Sequence, residues 1–309
     1  MRRPLSLLVG LLALAAAPVA TAAALPPPTT ILPWGDLPGE PGFRPGGDER
    51  PPVGPVAVAA DDDRIVVSDP ANRQLLVLDP RGQVVDSWPL GFPAVDVALL
   101  PDGSVLALDG PGQRVALRDA SGAWRALPTP SAGVVTLAVG PDGSPWAVDR
   151  LGHGHALDVA PDSGLDRATP LGAGYHGAGR RVDARRGEAL VWGWEQPATV
   201  RDAGPALTVP VDSDGRLLGT VRPLRVDDHG VLHLLVERLA RGRTISVEVA
   251  VQRYAARDGR ALGDTRWDVA NIAPINHPAA VTPGGALVVV AALPEGLALW
   301  VIPAAGGSK

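Results

Sequence analysis

The chain contains no cysteine. That excludes disulfides, thiolate metal ligands, a cysteine nucleophile and a lipid anchor on a processed N-terminal cysteine. Stability must therefore come from burial, and a chain of 309 residues can bury a sizeable core without cross-links. Phenylalanine and tyrosine are scarce at two each, while tryptophan reaches eight. Basic residues form no stripe, so a nucleic-acid partner is not expected. No stretch beyond the N-terminus sustains a helical period, which argues against βαβ units. The chain also lacks a GxSxG elbow, an HExxH helix, a Walker loop and a Rossmann glycine pattern. GAGYHGAGR is rich in glycine but precedes a predicted strand, so a phosphate cradle is not expected there.

What is present begins with a targeting signal. Arg2 and Arg3 precede the apolar run LSLLVGLLALAAAPVA, and TAAA offers small residues for cleavage near Ala24. Residues 1–24 are predicted to be a signal peptide, and the protein is expected to be secreted or periplasmic. The run holds Pro18 and is only just long enough to span a membrane, which disfavours an anchor. The paired arginines hint at the twin-arginine route, but PLSLL after them reads as general export sequence. No later segment is predicted to span, so no membrane span is expected after cleavage. Losing the two arginines moves the formal charge from −5 to −7, mildly acidic and evenly spread. Glycine (37) and proline (33) sit between periodic apolar runs, where turns are needed, so they do not signal disorder.

A forty-residue echo runs through the first half. Asp62, Asp102 and Asp142 recur at this interval, and so do Asp69, Asp109 and Asp149. Each unit reads as four short strands, here called a to d. In the second unit these are AVDVALL, SVLALD, RVALRD and AWRAL, with PDG and SG turns. Such a unit cannot bury a core alone and must stack on copies of itself. The second half repeats less regularly. RRVDARRG, EALVWGWE, ALTVPVD and GRLLGTV are taken as the fourth unit, and PLRVDDHG to GRALGDTRW as the fifth. DPRG at 79, DASG at 119, DSDG at 212 and ARDG at 256 are taken as turns between strands c and d. The sixth unit stops after strand c, and one spare strand, ILPW at 31–34, lies near the N-terminus. The expected fold is all-β: a six-bladed β-propeller whose N-terminal strand closes the last blade. Residues 25–53 hold that strand and a lead loop, and 54–305 hold the propeller, a single domain with 31–34. A monomer is expected.

The run from Trp34 to Asp79 resembles an NHL-type repeat. It carries the Gly/Pro-rich lead WGDLPGEPGFRP, a small-apolar strand, an apolar strand ending in Asp69, and then Asn72 and Arg73. Asn72 and Arg73 are adjacent here, whereas the family spaces them. The second and third units keep Asp109 and Asp149 but lose the asparagine. The resemblance covers roughly 54 to 125 and weakens after 170. It implies the fold and says little of activity, because such propellers serve as binding platforms, lyases and hydrolases.

Strand direction assigns the loops to faces. The d–a and b–c loops share one face, called top, and the a–b and c–d turns share the other. His153, His155, His176 and His277 are all predicted near the top, while His229 is placed in a bottom turn and His233 inside a strand. Imidazoles from separate blades suit a divalent metal with one position left open, so these four are candidate ligands. Zinc-dependent six-bladed lyases that cleave peptidyl-hydroxyglycine resemble this idea, though none of their ligands maps onto this chain. The aspartates ending strand b are read as architecture, each accepting N–H bonds from the loop that follows. The run Asp61-Asp62-Asp63 is read as a hairpin turn. The tryptophans are read as packing between blades, with a stacking platform as the other use. The fifth unit's long hairpin ends in ARGR. Arg238, Arg241 and Arg243 are expected to cluster there, with Arg241 and Arg243 as ligand-contact candidates.

Two functional readings follow. The first is a non-catalytic exported propeller that binds a protein, peptide or glycan through its top face, with no cofactor. The other is a metal-dependent lyase or hydrolase using the top-face histidines.

Overall fold

Short apolar runs punctuated by Asp-Gly and Pro-Asp-Gly turns set the secondary structure. Gly82 (φ 79°) and Gly103 (φ 85°) take the left-handed conformation that these tight turns demand. A computed structural model of the protein describes residues 22–111, 113–129, 133–139, 143–149, 154–157, 175–177, 180–185, 188–193, 207–241, 245–268 and 271–304. Among these residues every regular element is a strand.

Two strands precede the repeats: β1 (Ala22–Ala24) and β2 (Thr30–Pro33). The first repeat gives β3 (Ala57–Ala60), β4 (Ile65–Asp69), β5 (Gln74–Leu78) and β6 (Val84–Pro89). The second gives β7 (Ala94–Leu99), β8 (Val105–Asp109), β9 (Arg114–Arg118) and β10 (Trp124–Leu127). The third gives β11 (Val134–Val139), β12 (Pro145–Asp149) and β13 (Gly154–Ala156). Then come β14 (Tyr175–Gly177), β15 (Arg180–Arg185), β16 (Glu188–Gly193) and β17 (Leu207–Pro210). They are followed by β18 (Leu217–Val226), β19 (Val231–Arg241), β20 (Ile245–Ala255) and β21 (Ala261–Trp267). The last are β22 (Ala279–Val281), β23 (Leu287–Leu293) and β24 (Gly296–Ile302).

Each repeat folds into its own antiparallel meander. The first strands contact one another in turn: β3 meets β7, β7 meets β11, β11 meets β14, β14 meets β18, β18 meets β22, and β22 returns to β3. This is a β-propeller arrangement. Five sheets have four or more strands; the sheet of the third repeat has three, β11–β13. The expected count of six four-stranded blades is therefore corrected to five. The third unit's fourth strand was expected in sequence that lies outside the described residues.

The core lies between the sheets. Strands buried on both faces send alternate side chains to opposite neighbours, so they read as unbroken apolar runs. In β4, Val66 packs toward the second repeat's sheet with Val97 and Ala107. Ile65 and Val67 pack toward the last sheet with Val288 and Leu297. Leu75 and Leu76 divide in the same way. Trp88 is buried between the first two sheets and Trp267 between the last two. The Arg118 guanidinium stacks over the Trp88 ring at 3.9 Å.

The strand expected at 31–34 is β2, and it pairs antiparallel with β24. It supplies the outer strand of the sheet β22–β24. Trp34 donates from Nε1 to the Leu293 carbonyl at 2.9 Å, and Trp300 donates to the Pro26 carbonyl at 2.8 Å. β1 pairs in parallel with the outer edge of β21. Its residues end at the predicted cleavage point, and residues 1–21 lie outside the described ones.

The fourth sheet differs from the expected fourth unit by one strand. Its first strand is β14, and RRVDAR is the second. β14 has three residues ending in glycine, too short to carry a strand pattern. GRLLGTV is correspondingly the start of β18 in the fifth sheet, so DSDG at 212 joins two sheets.

Candidate functional site

The first strands of the sheets face a central channel. β3, β7, β11, β18 and β22 line a cavity of about 610 Å³. Apolar wall is contributed by residues such as Val58, Val97, Leu137 and Ala280. Four polar side chains interrupt it: Thr136, Arg222 and His277 toward the top, and Arg225 lower down, one residue before the end of β18. Asp61 stands at the bottom turn, engaged with Arg64 at 3.1 Å.

The polar end is built around Asp96. β7 carries a bulge between Ala94 and Asp96, and β11 carries one between Val134 and Thr136. These positions are forty residues apart, so the repeat places the same irregularity in both strands. A bulge re-aims the next side chain. Asp96 Oδ1 accepts from His277 Nδ1 at 2.7 Å and from the Val97 N–H at 2.9 Å. Asp96 Oδ2 accepts from Thr136 Oγ1 at 2.7 Å and from the Leu137 N–H at 2.8 Å. Residues from the second, third and last sheets thus converge on one buried carboxylate. Burial pushes the Asp96 carboxyl up, but the charge and hydrogen bond of His277, with Leu137 and Thr136, outweigh this. The group is held below its ordinary value.

His277 is fixed by backbone as well. Its N–H donates to the Val56 carbonyl at 3.0 Å, and its carbonyl accepts from Val58 N–H at 3.1 Å. It joins the last unit to the first. Arg222 donates from Nη1 to the Asn276 carbonyl at 3.1 Å. Burial lowers the Arg222 pKa, opposed by the charges of Asp96 and Glu237. Arg225 follows on the same strand, across a bulge between Pro223 and Arg225.

The four predicted histidines do not form one cluster among the described residues. His277 pairs with Asp96. His155, on β13, has Nε2 3.2 Å from Asp149 Oδ2 in a separate pair. Two of the four are thus committed to different carboxylates. The backbone of His176 lies in β14, opposite Arg181; its side chain is outside the described set. His153 lies outside the described residues altogether. Among those described, no three His, Asp or Glu side chains are placed to hold a metal ion. His229 sits in the bottom turn, and His233 is buried in β19 with Nε2 2.9 Å from Asp227 Oδ2.

The strand-end aspartates hold loops. Asp69 Oδ2 accepts from Gly42 N–H at 2.8 Å and from Gln74 Nε2 at 3.1 Å. Burial pushes its carboxyl up, against the hydrogen bonds of Gln74 and the Gly42 and Asn72 amides. Asn72 donates to the carbonyls of Gly35 and Glu40, at 2.9 and 3.1 Å. In the first unit the Asp69 and Asn72 of the NHL-like pattern therefore clasp the lead loop to the propeller. Asp109 pairs with Arg114 at 2.6 Å.

The hairpin arginines separate. Arg241 ends β19 opposite Ile245, with its side chain outside the described set, and Arg243 lies outside it. Arg238 was expected at an exposed tip and is fully buried. It bonds Glu248 Oε1 at 2.9 Å, Asp264 Oδ2 at 3.4 Å and the Asp212 carbonyl at 3.1 and 3.2 Å. β19 runs so far along β20 that position 238 lies inside the sheet, opposite Glu248.

Sequence reasoning missed Asp96, Thr136, Arg222 and Arg225. Two signals were legible: an aspartate inside the apolar run AVDVALL, and a pair of arginines in RPLR, within what became a channel-lining strand.

No family model matches the chain, and no curated protein matches it. Similar solved structures include a streptogramin B lyase, at 11% identity and TM-score 0.45, covering 84% of this chain and 97% of that one. Another is the calcium-binding protein regucalcin from Agrobacterium tumefaciens, at 14% identity and TM-score 0.44, covering 92% and 98%. A protein of unknown function from Desulfotomaculum acetoxidans is similar at 16% identity and TM-score 0.49, covering 82% and 86%.

Proposed function

We propose that the protein is an exported β-propeller that binds a protein, peptide or glycan through its top face without catalysing a reaction. Export is read from the basic pair and apolar run at the N-terminus. The NHL-like run around Asp69 and Asn72 is part of the same reading. One observation carries it: a cavity of about 610 Å³ on the axis, with polar side chains from several sheets at its top end. That size and mixed lining suit reception of a ligand or of a ligand's end group.

The test is binding of the mature protein to glycan and peptide arrays, followed by two face variants. Leu37 is 64% exposed in the top-face lead loop, so Leu37→Glu is expected to weaken binding at least tenfold. His229→Ala, in a bottom turn, is expected to leave it unchanged. No binding on either array, or the reverse pattern in the variants, refutes the top-face reading. Stoichiometric zinc, iron or calcium in the purified protein would replace it with the metal-dependent lyase or hydrolase.

A further inference from the structure

Two arginines in the channel are poorly paired. Arg225 has no hydrogen-bond or ion-pair partner among the described residues, and Arg222 has one neutral partner, the Asn276 carbonyl. A guanidinium presents five donors in a rigid fork. One bond to a carbonyl leaves most of that fork unused.

The nearby carboxylates are committed elsewhere. Asp96 has about four acceptor positions, and all are taken by His277, Val97, Thr136 and Leu137. Glu237 accepts the Thr220 N–H at 3.2 Å. Asp61, at the bottom turn, is occupied by Arg64 and by the Asp63 N–H. The described wall therefore holds two forked cations, neither in a direct ion pair with a carboxylate among the described residues, although the charges of Asp96 and Glu237 act on Arg222.

His277 adds a third group. An ionised carboxylate only accepts hydrogen bonds, so the ring proton sits on Nδ1, facing Asp96. Nε2 remains as the ring nitrogen without a protein partner among the described residues. Arg222, Arg225 and His277 all line the same cavity, beside an apolar wall.

We propose that this cavity is a binding site for a small carboxylate-bearing molecule, with Arg222 and Arg225 receiving the carboxylate and His277 Nε2 a neighbouring polar group. The fork geometry of arginine matches a carboxylate bidentately. The cavity of about 610 Å³ falls within the range of small-molecule sites. The apolar wall accommodates the ligand's carbon skeleton. This rests on the top-face binding reading and specifies the chemistry of its deepest part.

The experiment titrates the mature protein calorimetrically at low ionic strength. The probes are succinate and galacturonate, with succinamide, galactose and inorganic phosphate as comparisons. Succinate, galacturonate or both are expected to bind, and succinamide and galactose are not. Binding only of succinate identifies a dicarboxylate, and binding only of galacturonate identifies an acidic sugar. Arg222→Met and Arg225→Gln are each expected to weaken binding at least tenfold. Arg225→Gln removes no hydrogen bond among the described residues, so it decides the matter if Arg222→Met does not fold. No carboxylate binding, binding of phosphate alone, or affinity unchanged in Arg225→Gln overturns the proposal. Array ligands that bind equally well to both arginine variants would overturn it while leaving the top-face reading intact. Arginine-dependent galacturonate binding with no array ligand would do the opposite.

Discussion

Replacing Asp96 with alanine is expected to loosen the ring at the junction of three sheets. Asp96 is 2% exposed and accepts four hydrogen bonds, one from the imidazole of His277. The substitution leaves the Val97 and Leu137 amides, the Thr136 hydroxyl and the His277 ring without that acceptor. Leaving a buried donor without its acceptor costs about 1–3 kcal/mol. The His277 side chain is 21% exposed and can recover a water, so a total cost of about 3 kcal/mol is expected, chiefly from the Val97 and Leu137 amides and the Thr136 hydroxyl. For a chain of this size that corresponds to a fall in Tm of roughly 6–12 °C. The assay is urea and thermal unfolding of the protein from residue 25 onward, with a double-mutant cycle against His277→Ala. A coupling of at least about 1 kcal/mol is expected for two groups in direct contact.

The same residue gives a pH signature. Its carboxyl is held below the ordinary 3.8. The stability it contributes is therefore complete above that value and fades as pH falls through the lower folded-state value. Wild-type stability should drop below about pH 4 partly through this group, and Asp96→Ala should show a shallower acid limb. A loss under about 1 kcal/mol at neutral pH, additivity with His277→Ala, or an unchanged acid limb would refute the claim that Asp96 ties the sheets together.

Three further outcomes are expected. Deleting residues 25–36 removes β2 and the bonds of Trp34 and Trp300, and should lower Tm for the whole ring; a melt matching the undeleted chain would show that β2 is dispensable. Arg238→Ala removes a fully buried guanidinium from Glu248 and Asp264, which keep Arg216 and Arg266 as partners, and frees the Asp212 carbonyl, so it should cost about 1–3 kcal/mol in urea unfolding; a cost under about 1 kcal/mol would mean the network contributes little net stability. Asn72→Ala releases the Gly35 and Glu40 carbonyls and should cost about 1–2 kcal/mol, with faster proteolysis in the lead loop; unchanged cleavage would show that other contacts hold it.

The inner strands of the first two repeats are legible because they are buried on both faces. IVVSD and QLLVL have no exposed position, so the apolar run and its turns reveal them without ambiguity. The N-terminal strand was found by counting, since the last unit lacked one. β14 was not found, because YHG is too short and too rich in glycine to carry a period. Arg238 was misplaced for a related reason. The sequence gives no measure of how far a hairpin stays within its sheet, and β19 and β20 pair along eleven residues each.

The channel was illegible for a different reason. The histidines stand out in the sequence because imidazole is a familiar ligand, and their loop positions suggest a shared face. The structure groups side chains by first strand, where a residue's neighbours come from other repeats. Asp96 and His277 are 181 positions apart, and no spacing rule connects them. The repeat does connect Asp96 with Thr136, as equivalent positions in successive units. Val56 occupies the same position in the first unit, and its carbonyl receives the Asn276 and His277 amides. One structural position thus holds three chemistries: a carbonyl anchor, a carboxylate and a hydroxyl. In a propeller, the departures of such inner positions from apolar character are what distinguish one channel from another. Arg222 and Arg225 are the strongest such departures among the described residues, because each introduces a cation without an ion-pair partner there.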